Sequence, residues 1–114
     1  MKTSELQGAA LDWAVAKCEG PSMMAFFTRN EYAPSTDWEQ GGPIIEREGI
    51  TVELLRQHDG AYLWEGRLYI DYPDKTNKQS AWSTATISTP LVAAMRCYVA
   101  SKLGDEVEIP EGLK

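Results

Sequence analysis

The stretch that decides the fold is TPLVAAMRCYVASKLGDEVEIP, at residues 89–110, which carries the start and stop signals of one helix. Thr89 is a residue type that caps the first backbone amides of a helix, and Pro90 suits the first helical position because no amide hydrogen is needed there. Gly104 supplies a residue that ends helices, and Lys102 lies favourably near the negative C-terminal end. The sequence therefore predicts a helix that begins after Thr89 and ends before Gly104.

That helix has almost no polar face. Its polar residues in the body are Arg96, Ser101 and Lys102, and at 100° per residue they point in three different directions. A helix that is apolar nearly all round is covered on more than one side. The pattern therefore predicts either the central helix of the domain or half of a subunit interface, and we expect a homo-oligomer on this ground.

The remaining segments predict an α+β fold. Residues 4–19 have the apolar spacing of an amphipathic helix, with Ser4 and Gln7 placed as a capping box. Extended structure is predicted from β-branched, aromatic or alternating residues at 22–29, 51–57, 61–72 and 80–88. We expect a small antiparallel sheet with the N-terminal and C-terminal helices packed on one face.

The segment NEYAPSTDWEQGGP, at residues 30–43, is rich in turn-forming residues. Its two prolines and its Gly-Gly pair predict a turn region rather than a regular element. For residues 44–50 we expect one short helical turn that leads into a strand.

Composition indicates one globular domain. The chain has 114 residues, 43% hydrophobic and 25% charged, so we expect a single domain over 1–114 with a short tail at 106–114. The net charge is −6 and the basic residues are scattered, which argues against general nucleic-acid binding. No apolar run reaches the ~18–20 residues that cross a bilayer, and the N-terminus does not have the pattern of a signal peptide. We therefore expect a cytoplasmic protein that does not bind membranes.

The familiar signatures of catalysis are missing from the sequence. His58 is the only histidine, and it lies in a predicted turn with no base partner at a telling spacing. Phosphate-loop, dinucleotide and nucleophile-elbow motifs are absent. Cys18 and Cys97 are expected to be small buried hydrophobes. We predict no catalytic residue, no metal site and no cofactor, and we expect a protein that is not an enzyme.

Three blocks of the sequence together resemble a known family. They are MKTSELQGAALDWAVAKCEG at 1–20, PSTDWEQGGPIIEREGI at 34–50 and TPLVAAMRCYVASKLGDEVEIPE at 89–111. They are similar to the NinX-like family of small proteins encoded by tailed bacteriophages and prophages, whereas residues 51–88 resemble it less distinctly. The resemblance implies a phage accessory protein in the cytoplasm of a bacterial host, and it transfers no catalytic residue.

The best candidate for a ligand site is the loop at residues 35–42. Hydroxyls and glycine amides can hold phosphate or ribose oxygens, an indole can stack on a base, and an arginine can bind an anion. The predicted ligand-binding residues are Ser35, Thr36, Asp37, Trp38, Gly41, Gly42, Arg47, Trp82 and Arg96. Structural roles are the alternative: Ser35 or Thr36 as a helix cap, Trp38 in the core, and Arg96 bound to a carboxylate.

Three functions compete. The first is a non-enzymatic binder of a small nucleotide-like ligand, which would sequester a nucleotide-type host immune signal and so counter a host defence. It rests on an analogy of size and fold class with phage proteins that do this. The second is an interaction module that binds a host or phage protein. The third is a hydrolase of a nucleotide signal.

Overall fold

The computed structural model describes residues 1–71, 79–86 and 88–113, without the side chains of residues 69–71 and 79–84. Within these residues the chain forms four α-helices and a three-stranded antiparallel sheet, which confirms the α+β class. The elements are α1 Gly8–Glu19, α2 Pro21–Thr28, α3 Trp38–Glu48, β1 Thr51–Arg56, β2 Tyr62–Asp71, β3 Gln79–Thr86 and α4 Pro90–Leu103, with short 3-10 turns at Thr3–Glu5 and Glu111–Leu113.

Helix α4 begins and ends where the sequence predicts. The hydroxyl of Thr89 accepts a hydrogen bond from the N–H of Val92 at 3.0 Å, and Gly104 follows the last turn with φ 88°. Every residue from Leu91 to Ala100 is buried within the single chain. The central-helix alternative is therefore confirmed.

Helix α4 lies between the sheet and the other helices. It contacts β1, β2 and β3, and it also contacts α1, α3 and the first 3-10 turn. Gly66 on β2 permits a close approach, because a Cβ there would lie 2.6 Å from the carbonyl oxygen of Ala93. Since the chain covers this helix itself, α4 gives no reason to expect a second subunit.

The described sheet has the order β1-β2-β3 with antiparallel neighbours. A tight turn joins β1 to β2, in which the N–H of Gln57 donates to the carbonyl oxygen of Ala61 at 2.8 Å and Gly60 has φ 86°. Strands are thus confirmed within the segments 51–57, 61–72 and 80–88. The predicted strand positions Tyr72 and Ile87 lie outside the described residues.

The strand predicted at 22–29 is wrong, because these residues form helix α2. Gly20, with φ 116°, turns the chain sharply after α1, and Pro21 takes the first helical position, where its missing N–H costs nothing. Methionine and alanine favour a helix, and α2 packs against α1. These effects outweigh the extended preference of the two phenylalanines.

The turn region predicted at 30–43 is wrong in part, whereas the helical turn expected at 44–50 is the end of a longer helix that leads into β1. Helix α3 runs through Gly41, Gly42 and Pro43, and it is capped by Asp37, whose carboxylate accepts from the N–H of Glu39 at 2.9 Å. Gly41 is a packing residue, since a Cβ there would collide with the carbonyl oxygen of Pro34 and lie 2.6 Å from Cδ1 of Leu91.

The predicted capping box at Ser4 and Gln7 does not form. Residues Thr3–Glu5 make a 3-10 turn, and α1 begins only at Gly8, with no side-chain hydrogen bond at Gln7. The N–H and hydroxyl of Thr3 instead donate to the carbonyl oxygens of Asp105 and Gly104, at 2.8 and 2.7 Å. The start of the chain is therefore bound to the segment that follows α4.

Candidate functional site

The starts of three helices surround one cavity of about 520 Å³, the helix-start cavity. Its lining residues are Gln7 and Gly8 at the start of α1, Ser35, Thr36 and Trp38 at the start of α3, and Ser88, Thr89, Leu91 and Val92 at the start of α4. None of these nine lining residues carries a formal charge. The structure thus brings three predicted site residues, Ser35, Thr36 and Trp38, to one place.

Helix starts leave backbone N–H groups near this cavity, while the carboxylates of Asp37 and Glu39 lie at the start of α3. The first amides of a helix have no acceptor inside the helix, and the helix dipole adds partial positive charge there. The side chains of Asp37 and Thr89 cap one amide each, those of Glu39 and Val92, whereas Gln7 makes no side-chain cap. Such helix starts are suited to binding an anion or an oxygen-rich ligand.

Ser35 joins the cavity to α1. The residue is only 1% exposed, and its N–H donates to Oδ1 of Asp12 at 2.8 Å. Burial raises the pKa of Asp12, while the N–H and the nearby hydroxyl of Ser35 act to lower it. That hydroxyl nevertheless makes no hydrogen bond of ordinary geometry within the described residues. The Ser35 oxygen is therefore a buried polar group close to Asp12, and it has almost no surface that a ligand in the cavity could contact.

Trp38 is the first residue of α3, and it is 55% exposed. The alternative that it belongs to the core is therefore wrong. An exposed indole on a cavity wall offers a flat apolar face, on which an aromatic base can stack.

The other residues of the predicted loop serve the helix. Asp37 caps α3, and the N–H of Gly41 donates to the carbonyl oxygen of Asp37 at 2.9 Å. Gly42 lies one residue further inside the same helix. The expectation of glycine amides exposed in a turn is therefore wrong. A ligand role of Asp37, Gly41 and Gly42 stays a prediction, and it would have to use groups other than the glycine amides.

Arg47 lies at a different cavity, the α2 groove, of about 400 Å³. Its lining residues are Glu19, Met23, Phe26, Glu31, Tyr32, Gln40, Pro43, Ile44 and Arg47. The guanidinium donates to both carboxylate oxygens of Glu19, at 2.9 and 2.7 Å, and to Glu48 at 2.8 Å. These bonds lower the pKa of Glu19, so Arg47 is committed to a structural ion cluster.

Arg96 is also apart from the described lining of the helix-start cavity. Arg96 is 7% exposed, and its Nε donates to the backbone carbonyl oxygen of Leu6 at 2.6 Å, a partner other than the carboxylate in the sequence-based alternative. Burial lowers the pKa of this guanidinium. Trp82 lies on β3 opposite Leu68, but its side chain is outside the described part of the structure.

Sequence reasoning missed the rest of the cavity lining. Gln7 and Gly8 were predicted to lie inside a helix, whereas they form the start of α1. Ser88 and Thr89 were read only as a strand end and a cap. Serine, threonine and glycine are common at helix starts, and this preference was the signal in the sequence. It does not predict which helix starts lie next to each other in the fold.

The two thiols have little nucleophilic character. Burial raises the pKa of Cys18 and of Cys97 to about 12, so the thiolate is scarce at neutral pH. In the part of the chain that the structure describes, no three His, Cys, Asp or Glu side chains gather closely enough to hold a metal ion. Among the same residues, no helix combines the length and apolarity needed to cross a membrane.

Fold and site together define a small α+β protein whose candidate site is a cavity at three helix starts, with no formal charge among its described lining residues. The family model described as bacteriophage P22, NinX, matches residues 2–102. The chain belongs to this bacteriophage NinX family, which confirms the resemblance in the sequence and indicates a phage accessory protein. No curated protein matches the chain at a significant level.

Proposed function

We propose that this phage accessory protein binds a small nucleotide-type ligand in the helix-start cavity and acts by sequestering a nucleotide signal of host defence. The observation that carries the proposal is the meeting of the exposed Trp38 and three helix starts at one cavity. A volume of about 520 Å³ falls within the usual range for small-ligand sites.

The polar half of the cavity suits phosphate and ribose oxygens. Helix starts hold phosphates through backbone N–H groups, and no basic side chain is needed for this. Because Gln7 provides no side-chain cap, the first amides of α1 are the donors that an anion can reach. The exposed hydroxyls of Thr36 and Ser88 add groups that both donate and accept.

The apolar half of the cavity suits a base. Stacking of a base on an aromatic side chain is worth about 1–3 kcal/mol as measured by alanine substitution. Trp38 has the exposure that such stacking needs, and it lies beside the helix starts that would hold the phosphate.

Sequestration fits this lining better than hydrolysis. Hydrolysis needs a positioned base or an activated nucleophile. The nine lining residues instead present hydroxyls, amides and an indole, which are groups that hold a ligand. We therefore expect the ligand to leave the protein unchanged.

Thermal unfolding in the presence of nucleotides tests the proposal. A ligand that binds only the folded state raises the melting temperature. We expect adenine or guanine nucleotides to raise the melting temperature, and we expect Trp38→Ala and Thr36→Ala to reduce the rise. Tyr62→Ala is the matched control, because Tyr62 is 46% exposed and is not part of the cavity lining.

The outcomes separate the functions. No rise with any of these nucleotides, or an equal rise in Trp38→Ala, would contradict binding at this cavity. Intact ligand recovered after heat denaturation supports sequestration, whereas cleaved ligand supports the hydrolase alternative.

A second candidate function is an interaction module for a host or phage protein. Strand β1 is an edge of the described sheet, and Leu54 on it is 41% exposed. An open edge can add a strand from another protein. A stoichiometric host partner that is lost on Leu54→Pro would support this function. Self-association also stays a prediction, although α4 no longer supports it.

A further inference from the structure

Helix α2 is an apolar helix that the rest of the chain leaves half covered. Its sequence is PSMMAFFT, none of its eight residues is buried, and α1 is its main contact. Met23, Met24 and Phe27 are partly buried against the core, while Phe26 is 39% exposed. An apolar helix that is left partly exposed in this way is a candidate interaction site.

The α2 groove extends this surface. Met23 and Phe26 form one wall, and Tyr32, Pro43 and Ile44 provide further apolar lining. Helix and groove thus form one continuous surface, which a single partner can cover.

Charges around the surface are balanced, although the whole chain carries −6. At the end of α2 the guanidinium of Arg29 lies 4.8 Å from the ring centroid of Phe26, and its Nε lies 3.6 Å from a carboxylate oxygen of Glu31. Both charged side chains are more than half exposed. Deeper in the groove, Arg47 neutralises Glu19.

Neighbouring opposite charges of this kind are self-complementary. At a two-fold interface, residue i of one copy meets residue j of the other, and residue j meets residue i in return. A strongly basic or acidic partner gains little from a balanced surface, whereas a second copy can bring each cation to an anion. The local neutrality also avoids the repulsion that two chains of charge −6 feel elsewhere.

We infer that α2 and the α2 groove form the contact between two copies of this chain, related by a two-fold axis near Phe26. Arg29 of each copy then lies beside Glu31 of the other copy. Phe26 is the anchor, because large aromatic side chains with an adjacent arginine dominate interface energetics. This contact does not depend on the proposed nucleotide binding, since the lining of the helix-start cavity includes no residue of α2.

Analytical ultracentrifugation of the full chain, from micromolar to submillimolar concentrations, tests the contact. We expect a dimer that Phe26→Asp converts to a monomer, with circular dichroism showing that the variant is folded. Leu54→Asp is the matched control, because Leu54 is similarly exposed, at 41%, but lies on β1. It should leave the dimer intact.

Charge reversal gives a sharper test. Arg29→Glu places two carboxylates face to face across the axis, and Glu31→Arg places two guanidiniums there, so each variant alone should dissociate. Mixing the two variants pairs opposite charges again, and a heterodimer should form with an affinity about tenfold above that of either variant alone. A wild type that is monomeric at every concentration would overturn the inference. A dimer unaffected by Phe26→Asp, or no heterodimer in the mixture, would do so as well.

Discussion

Arg47 on α3 and Glu19 at the end of α1 face each other through two parallel hydrogen bonds, of 2.9 and 2.7 Å. The phenol of Tyr98 on α4 donates to the same carboxylate at 2.5 Å. One carboxylate thus connects three helices, and the planar guanidinium matches its two oxygens.

We expect Glu19→Gln to lower the free energy of unfolding by about 1–2 kcal/mol at neutral pH, because it weakens charge-assisted bonds in a partly exposed cluster. The bonds from Arg47 lower the pKa of Glu19 from its usual 4.5. The contribution of the Glu19 carboxylate to the free energy of unfolding is therefore present above pH 4.5, and it is lost as the pH falls through the lowered pKa. Urea unfolding should show the difference from wild type shrinking on acidification. Glu46→Gln, an exposed change on α3, is the control.

Asp12 should behave in the opposite way, because burial raises its pKa above the usual 3.8. Its contribution to stability is greatest at low pH and is lost as the pH rises through the raised pKa. Asp12→Asn keeps an oxygen that can accept from the N–H of Ser35. We therefore expect this variant to gain stability relative to wild type between acidic and neutral pH. A relative loss on raising the pH would contradict the prediction.

Removal of the acceptor is a separate test at the same position. Asp12→Ala leaves the buried N–H of Ser35 without its bond, which should cost about 1–3 kcal/mol in the free energy of unfolding. Chemical denaturation of this variant beside Asp12→Asn isolates the bond from the charge. Equal stability of the two variants would show that the bond contributes nothing.

Two adjacent glycines of α3 should respond with opposite signs. Gly41→Ala places a Cβ against the carbonyl oxygen of Pro34 and 2.6 Å from Cδ1 of Leu91, and should cost about 1–3 kcal/mol. Gly42→Ala meets only Cε3 of Trp38 at 4.0 Å, and should stabilise the helix by about 0.5–1 kcal/mol. The melting temperatures of the two variants test this prediction. A lower melting temperature than wild type in both variants would contradict it.

The thiols of Cys18 and Cys97 should resist alkylation in the folded protein. Burial raises their pKa from 9.0 to about 12, which lowers the thiolate fraction about a thousandfold. Iodoacetamide labelling followed by mass spectrometry, with and without urea, measures the difference. Rapid labelling of the buried Cys97 or of the partly buried Cys18 under native conditions would contradict the raised pKa.

Local sequence signals predicted α4 and the strands because those elements carry their own caps and alternation. Helix α2 was predicted as a strand because Phe26, Phe27 and Thr28 favour extended structure, and contact with α1 decides the outcome. The Gly-Gly-Pro run indicated a turn, yet Gly41 serves a close contact with Leu91, far along the chain. Contacts of this kind are not visible in a local pattern.

The candidate site was predictable to a similar extent. Ser35, Thr36 and Trp38 share one segment, and their residue types indicate a ligand site. Gln7, Ser88 and Thr89 reach the same cavity only because α1 and α4 meet near their starts. Arg47 was expected there from sequence proximity, but the helical period of α3 carries it towards Glu19.

The enclosure of Leu91–Ala100 has a consequence for how the protein comes apart. Unfolding of the three strands, or of the helices α1 and α3, would expose one side of α4 to solvent. Neither the sheet nor the helices therefore form a stable unit alone. Melting should therefore follow a single cooperative transition, with the amide protons of α4 among the last to exchange with solvent.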